Sequence, residues 1–371
     1  MFHHTQGLHT TQGHKGIPDG CFEEEQGRKG FSGPVSHLIK SKPSTRWTQI
    51  EGPLRPHLYD LVKLNKPQVK SDWIRLMYNN DVAMYNFLIT PTTASKSHSY
   101  RNADGETLYF CHKGEGVVLT EYGMLKYNKG TYILIPKCVH HNIVPQNDSH
   151  FFIVESRTGS YREPDRGMVG RNAFYDTQAF KIPNLEEQTN WLKAHKNIYC
   201  EIHVKRNDLI TQFKYEDCVY TDVLGWKGDY FPTTIHVDDM MPMLSARVHL
   251  PPSAHCTFVS HNFVICTFLP RPLESDADAL KVPFYHQNID YDEVIFYHDG
   301  DFFSRDNLHP GCLSFHPAGF PHGPHPKAME KVKSQTHTQE YAVMVDTWNP
   351  LNIDSNMNPL EVNEYWKSWQ K

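Results

Sequence analysis

The chain has 371 residues, 39% of them hydrophobic and 21% charged, with a formal net charge of −5 when histidine is neutral. This is the make-up of a globular protein, and it excludes the broad basic surface of a nucleic-acid binder. A mean hydropathy of −0.58, with no long apolar run, argues against a membrane-spanning helix.

The opening residues, MFHHTQGLHTTQGHKG, lack the apolar core of a secretory signal peptide. Residues 1–60 are irregular and rich in Gly, His, Lys and Pro, so extended segments or an arm on the body of the protein are expected. From residue 82 the pattern becomes short β-type runs: VAMYNFLIT (82–90), TLYFCH (107–112), GVVLTEY (116–122), TYILIP (131–136) and FFIVES (151–156). A helix is expected over 185–196, with Asn184 as its cap and Glu187 at capping-box spacing. Strand signals return in MLSARVHL (243–250), CTFVSHNFVICTFLP (256–270), DEVIFYHDG (292–300), GCLSFHP (311–317) and YAVMVDTW (341–348). A last helix is expected to start at Asn358, with Pro359 in its first turn and Glu361 following. The eight cysteines are scattered without a CxxC pair, which fits reduced thiols and a cytoplasmic location.

Two β-rich blocks result, and they resemble each other. Gly130, Pro136, His140 and His141 in the first echo Gly311, Pro317, Gly319 and His322 in the second, as an internal duplication would. The expected division is 1–230 for an N-terminal domain and 231–371 for a C-terminal domain.

The chemistry concentrates in 286–322. His286, Asn288, Glu293 and Gly300 fall at the spacing of the first cupin motif, with Asn288 in place of its second histidine. Gly311, Pro317, Gly319 and His322 match the second cupin motif at every defined position. Strands of a small barrel bring inward-facing side chains together. His286, Glu293 and His322 would then cover one face of a metal and leave the other open, the pattern of non-haem Fe(II) oxygenases. In the first block His112, Glu115 and His140 or His141 are the corresponding candidates. Their spacing is wrong and Cys138 stands where the motif has glycine, so that barrel is expected to have lost its metal.

The run PFYHQNIDYDEVIFYHDGDFFSRDN, followed by HPGCLSFHPAGFPHGPHP, resembles the homogentisate 1,2-dioxygenase family of the cupin superfamily, in particular its shorter bacterial type. FSGPVSHL (31–38), GMVGRN (167–172), DVLGWKGDYFP (222–232), HLPPSAH (249–255) and FLPRPLESD (268–276) extend the likeness over most of the chain. The resemblance implies an all-β bicupin, two jelly-roll barrels with a few helices and an irregular N-terminal segment, carrying one Fe(II) in the second barrel. It implies His286, Glu293 and His322 as metal ligands and His249, in its H-x-x-P-S segment, as the acid–base group. His316 would support the ligands from within the second motif. It also implies a small aromatic substrate, O2 as co-substrate and a homo-oligomer, with no nucleic acid and no membrane. The expected reaction opens homogentisate to maleylacetoacetate in tyrosine and phenylalanine catabolism.

Homogentisate carries a carboxylate, for which Arg271, Arg305 and Lys281 are candidate cations, Lys281 fitting a solvated surface charge better. Tyr285 and Phe284 would line the pocket or serve as core aromatics. Strand alternation turns His298 away from the metal, and His309 and His325 fall in loops near it. The family's animal members differ at Phe284, Phe302 and His325, which leaves gentisate or another hydroquinone acid open as substrate. A Mn or Zn cupin enzyme is the alternative from another class.

Overall fold

The computed structural model describes residues 3–68, 72–94, 98–195, 200–281, 284–302 and 308–370. They are mostly strands with a few short helices, so the all-β class holds. The chain divides into two compact units. The first is Met1–Leu61, Pro242–Leu351 and Pro359–Lys371; the second is Val62–Met241 with Asn352–Asn358. Residues 1–61 thus group with the C-terminal block, a division different from the expected one at residue 230. The reason is strand pairing. Phe22–Gly27 runs parallel to Tyr285–Asn288, and His57–Asp60 pairs antiparallel with Cys312–His316.

The second unit has a seven-stranded and a six-stranded sheet. Phe87, Tyr109, Ile133 and Phe151 from one sheet pack with Val118, Leu125 and Ile143 from the other. β-Branched and aromatic side chains at alternate positions make each inner face apolar, and their burial is the main stabilising term. The helix Leu185–His195 forms as expected, with Asn184 Oδ1 accepting the Glu187 amide at 3.0 Å.

The first unit has a six-stranded sheet in the order Cys256–Val259, Phe263–Phe268, Tyr341–Thr347, Asp292–Asp299, Cys312–His316, His57–Asp60. A three-stranded sheet, Tyr285–Asn288, Phe22–Gly27, Val35–Lys40, completes it. Two expected elements are replaced. MLSARVHL forms no strand: Leu244, Ala246 and Arg247 are exposed, and the Ala246 carbonyl accepts the Ser275 and Asp276 amides instead of a strand partner. The final helix is two 3₁₀ segments, Ser355–Leu360 and Tyr365–Gln370, because Pro359 cannot donate inside a helix and Glu364 sits at φ +60°. The helix Pro326–Ser334 carried no expectation, although Pro326 occupies its first turn.

The turns at corresponding positions of the two blocks share their backbone conformation. Gly130 and Gly311 have φ of +91° and +93°, and Cys138 holds φ +65° where Gly319 has +78°. Cys138 therefore keeps a left-handed turn that its motif partner fills with glycine.

Candidate metal centre

His286 lies in Tyr285–Asn288, Glu293 in Asp292–Asp299, and His322 follows Cys312–His316. His286 and His322 form an antiparallel bridge: each amide donates to the other's carbonyl, at 2.8 and 2.9 Å. Residues paired in this way project to the same side, so the rings meet, with centroids 4.1 Å apart. His322 Nε2 is 3.6 Å from Glu293 Oε1, and His286 Nε2 is 3.9 Å from Glu293 Oε2. One ligand atom from each of the three lies within 4.8 Å of the others. An ion bonded at about 2.0–2.2 Å separates its ligands by comparable distances.

Both ring tautomers are set by the backbone. His286 Nδ1 donates to the Phe284 carbonyl at 3.0 Å, and His322 Nδ1 to Phe320 at 2.9 Å. Each Nε2 is then left as a lone pair aimed at the carboxylate, and both are buried without a hydrogen-bond partner. A buried polar atom without a partner costs about 1–3 kcal/mol, so two facing one carboxylate fit a cation site. Burial pushes the Glu293 carboxyl up, but the charge of His322 and the close imidazoles of His286, His316 and His322 outweigh it and hold it well below the usual range. Burial, reinforced by His286, keeps His322 below its ordinary value despite Glu293. An anionic carboxylate with neutral imidazoles is the donor state a metal requires.

His316 is the cross-strand partner of Glu293, and its Nδ1 lies 2.7 Å from Glu293 Oε1. On the other flank Glu293 pairs with Asp346. Asp346 is buried, its Oδ1 has no hydrogen-bond partner, and burial plus the charge of Glu293 raise its carboxyl well above the ordinary range. Asp346 belongs to no motif in the sequence. Its signal was a lone acid in the apolar strand YAVMVDTW, at the same parity as Ala342 and Met344. Asn288 does not reach the cluster; its Oδ1 accepts the Tyr291 amide at 3.2 Å and shapes the turn leading to Glu293.

The other expected residues separate. His249 is buried, its Nδ1 3.0 Å from Glu274 Oε1, and its ring is 5.0 Å from that of Phe284. Phe284 in turn lies 4.9 Å from His286. Burial lowers the His249 pKa despite Glu274. Arg271 is buried, with Nη1 donating to the Leu269 carbonyl, and its charge reaches both His249 and His255.

The structure does not bring Tyr285 to the cluster. As the strand neighbour of His286 it takes the opposite face, where it packs on Phe22 and bonds Thr45. Lys281 Nζ binds the Lys333 and Gln335 carbonyls instead. His298 falls at a register irregularity and lies against Tyr341; His309 is half exposed near Asp60; His325 packs on Trp369. Arg305 lies outside the described residues.

In the second unit, His141 stands at the motif position of His322. Its Nε2 is 2.6 Å from the Tyr109 hydroxyl, and its Nδ1 faces the Val139 carbonyl at 3.3 Å. The nitrogen that points at a carboxylate in the first unit is here taken up by a phenol. Glu115 is exposed and bonded to Asn147.

A family model described as homogentisate 1,2-dioxygenase N-terminal matches residues 34–237. A protein of Saccharolobus solfataricus, provisionally named a dioxygenase, is 29% identical over 100% of this chain and 99% of its own length. The homogentisate 1,2-dioxygenase of Rhizobium rhizogenes is 25% identical over 72% of this chain, and the match spans 61% of that protein, less than two thirds of its length. Among solved structures, a cupin 2 conserved barrel domain protein from Leptotrichia buccalis is similar at 8% identity and a TM-score of 0.35, covering 79% of this chain and 96% of that one. With a family model that matches more than half of its residues, the chain belongs to the homogentisate 1,2-dioxygenase family.

Proposed function

We propose that this protein is a non-haem Fe(II) dioxygenase that opens the ring of homogentisate with O2, giving a maleylacetoacetate-type product. The observation that carries the reading is the pair of buried, unpartnered Nε2 atoms of His286 and His322 facing one carboxylate. Two imidazoles and one carboxylate on one side of an ion are the donor set of Fe(II) oxygenases. Fe(II) held there supplies open positions at which a ring hydroxyl and O2 meet, and a route for electrons between them.

The chain's own residues do the rest. The Phe284 and Phe320 carbonyls fix the two rings, and His316 holds one oxygen of Glu293. His249, oriented through Nδ1 by Glu274, offers Nε2 to the proton that a ring hydroxyl loses on binding and later returns it. Arg271, whose charge reaches His249, is the described cation for the substrate carboxylate; Arg305 was expected to share that task. Burial keeps Arg271 with few competing waters, which strengthens a carboxylate pairing.

The test is anaerobic Fe(II) reconstitution followed by O2 uptake with homogentisate and gentisate side by side. Uptake with homogentisate, one O2 per ring opened, is expected. Uptake with gentisate alone overturns the substrate, and stoichiometric Mn or Zn without O2 uptake overturns the oxygenase reading.

Two variants separate the supporting roles. His316→Ala frees a ligand oxygen, and partners of this kind are typically worth about 10–100-fold in metal affinity. Iron affinity is therefore expected to fall by that factor, with turnover recovering in excess Fe(II); a loss that excess iron does not repair contradicts the assignment. His249→Gln removes the proposed base, and turnover is expected to fall by about 10²–10⁴-fold. Because the His249 pKa lies below its ordinary value, the neutral base persists to below pH 6.5 and the wild-type rate falls only at lower pH. That acidic limb should vanish in the variant; an unchanged pH–rate profile excludes His249 as the base.

A further inference from the structure

We propose that the first unit carries a second site for a divalent transition-metal ion, built by His14, Glu25 and His37. Strand register, a pinned turn and the approach of three donor atoms support it, independently of the His286 centre.

Glu25 and His37 are directly opposed in the antiparallel pair Phe22–Gly27 and Val35–Lys40, and Glu23 lies two residues from Glu25 on the same face. His14 is placed over them by a tight turn. Its own φ is +63°, which costs a non-glycine residue about 1–2 kcal/mol. Next to it, a Cβ on Gly13 would meet His37 Cε1 at 2.7 Å, so only glycine lets the chain pass that close. The turn is pinned by the Leu280 amide donating to the His14 carbonyl at 2.7 Å and the Gly16 amide donating to Asp278 at 2.8 Å. Strained backbone held in place from both sides needs a reason, and an inward-facing imidazole supplies one.

The donor atoms converge. His14 Nε2 is 2.5 Å from Glu25 Oε2, His14 Nδ1 is 2.9 Å from Glu23 Oε2, and His37 Nδ1 is 3.1 Å from Glu23 Oε1. One atom each from His14, Glu25 and His37 falls within 4.8 Å of the others, the same criterion the His286 centre meets. Glu23 braces both histidines from outside this group of three, through His14 Nδ1 and His37 Nδ1. Two imidazoles and one carboxylate, with a position left for water, suit a borderline ion such as Zn(II). The Glu23 side chain is 1% exposed and that of His37 26%, so His37 gives the ion an entry side.

Without an ion, the two carboxylates are balanced by His14. Burial opposes its protonation, but Glu23 and Glu25 raise it to about 9. A dication would displace that proton. The Phe284 ring, 4.5 Å from His14 and 4.9 Å from His286, lies against both centres.

The test is metal counting with Co(II), a coloured stand-in for Zn(II) and Fe(II). The full chain is stripped with chelator, refilled, desalted and assayed for metal per chain and for ligand-field absorbance. Wild type is expected to retain two equivalents, His37→Ala and His37→Gln one, and His322→Ala the other one. His37 is on an outer strand and partly open, and circular dichroism checks that its variants keep the wild-type fold. One equivalent in wild type that disappears with His322→Ala overturns the proposal. So do two equivalents that persist in both His37 variants, which would move the second ion elsewhere, for instance to His98, Glu201 and His203 in the second unit. Loss of the His322-dependent equivalent alone would strike the proposed oxygenase centre and leave this site standing.

Discussion

Replacing His322 with alanine is expected to abolish O2-dependent ring opening, by on the order of 10³-fold or more, while the protein stays folded. A bound metal contributes several kcal/mol to such a reaction, and each 1.36 kcal/mol is tenfold in rate. His322 is one of three groups that would hold it, and it is 1% exposed, so no nearby solvent ligand substitutes readily. In the ion-free protein His322 Nε2 is a buried atom without a partner, and removing such an atom recovers part of the cost of the cavity left behind. The ion-free variant should therefore melt close to ion-free wild type. Adding Fe(II) should raise the wild-type melting temperature, since a ligand at 100 times its dissociation constant adds about 2.7 kcal/mol, and raise that of the variant by less. A variant that turns over normally, or gains as much stability from Fe(II) as wild type, contradicts the assignment of His322.

The second large effect lies in the backbone of the motif. Gly300 closes the first motif with φ +94°, and a Cβ there would sit 1.7 Å from the Gln339 carbonyl oxygen. Gly300→Ala meets two penalties. The left-handed conformation costs about 1–2 kcal/mol. Forcing the Gln339 segment aside costs about 1–3 kcal/mol by analogy with overpacked cores. Against a total stability of about 5–15 kcal/mol this is a large fraction. A loss near 3 kcal/mol lowers the melting temperature by roughly 6–12 °C in a unit of this size. Gly170→Ala is the control. Its φ is +93° and nothing lies within 4 Å of the added carbon, so it carries the conformational penalty without the clash. Equal melting temperatures for the two variants would show that the approach of Gln339 is unimportant.

The metal cluster was legible because spacing fixes it. A strand period of two and a short turn tie His286 to Glu293, and the glycine and proline of the second motif set where His322 returns. The strands of 82–156 and 256–347 were legible for the same reason, apolar alternation over β-branched and aromatic residues. Phe22–Gly27 was not. Its sequence, FEEEQG, has neither alternation nor β-propensity, and it is a strand because Tyr285–Asn288 and Val35–Lys40 pair with it on both sides. His14 and Asp346 were missed because they reach their clusters from distant segments. Tyr285 was left open between pocket and core, although alternation alone puts it on the face opposite His286. MLSARVHL had a strand composition, but its Ala246 carbonyl is taken up by the Ser275 and Asp276 amides.

The most direct test of the central claim is anomalous diffraction at the iron edge from crystals of the Fe(II)-reconstituted protein. The account predicts a peak about 2.0–2.2 Å from His286 Nε2, a Glu293 carboxylate oxygen and His322 Nε2, with His316 still bonded to Glu293. No ordered iron within reach of these three residues, whether or not iron is bound elsewhere, would contradict it.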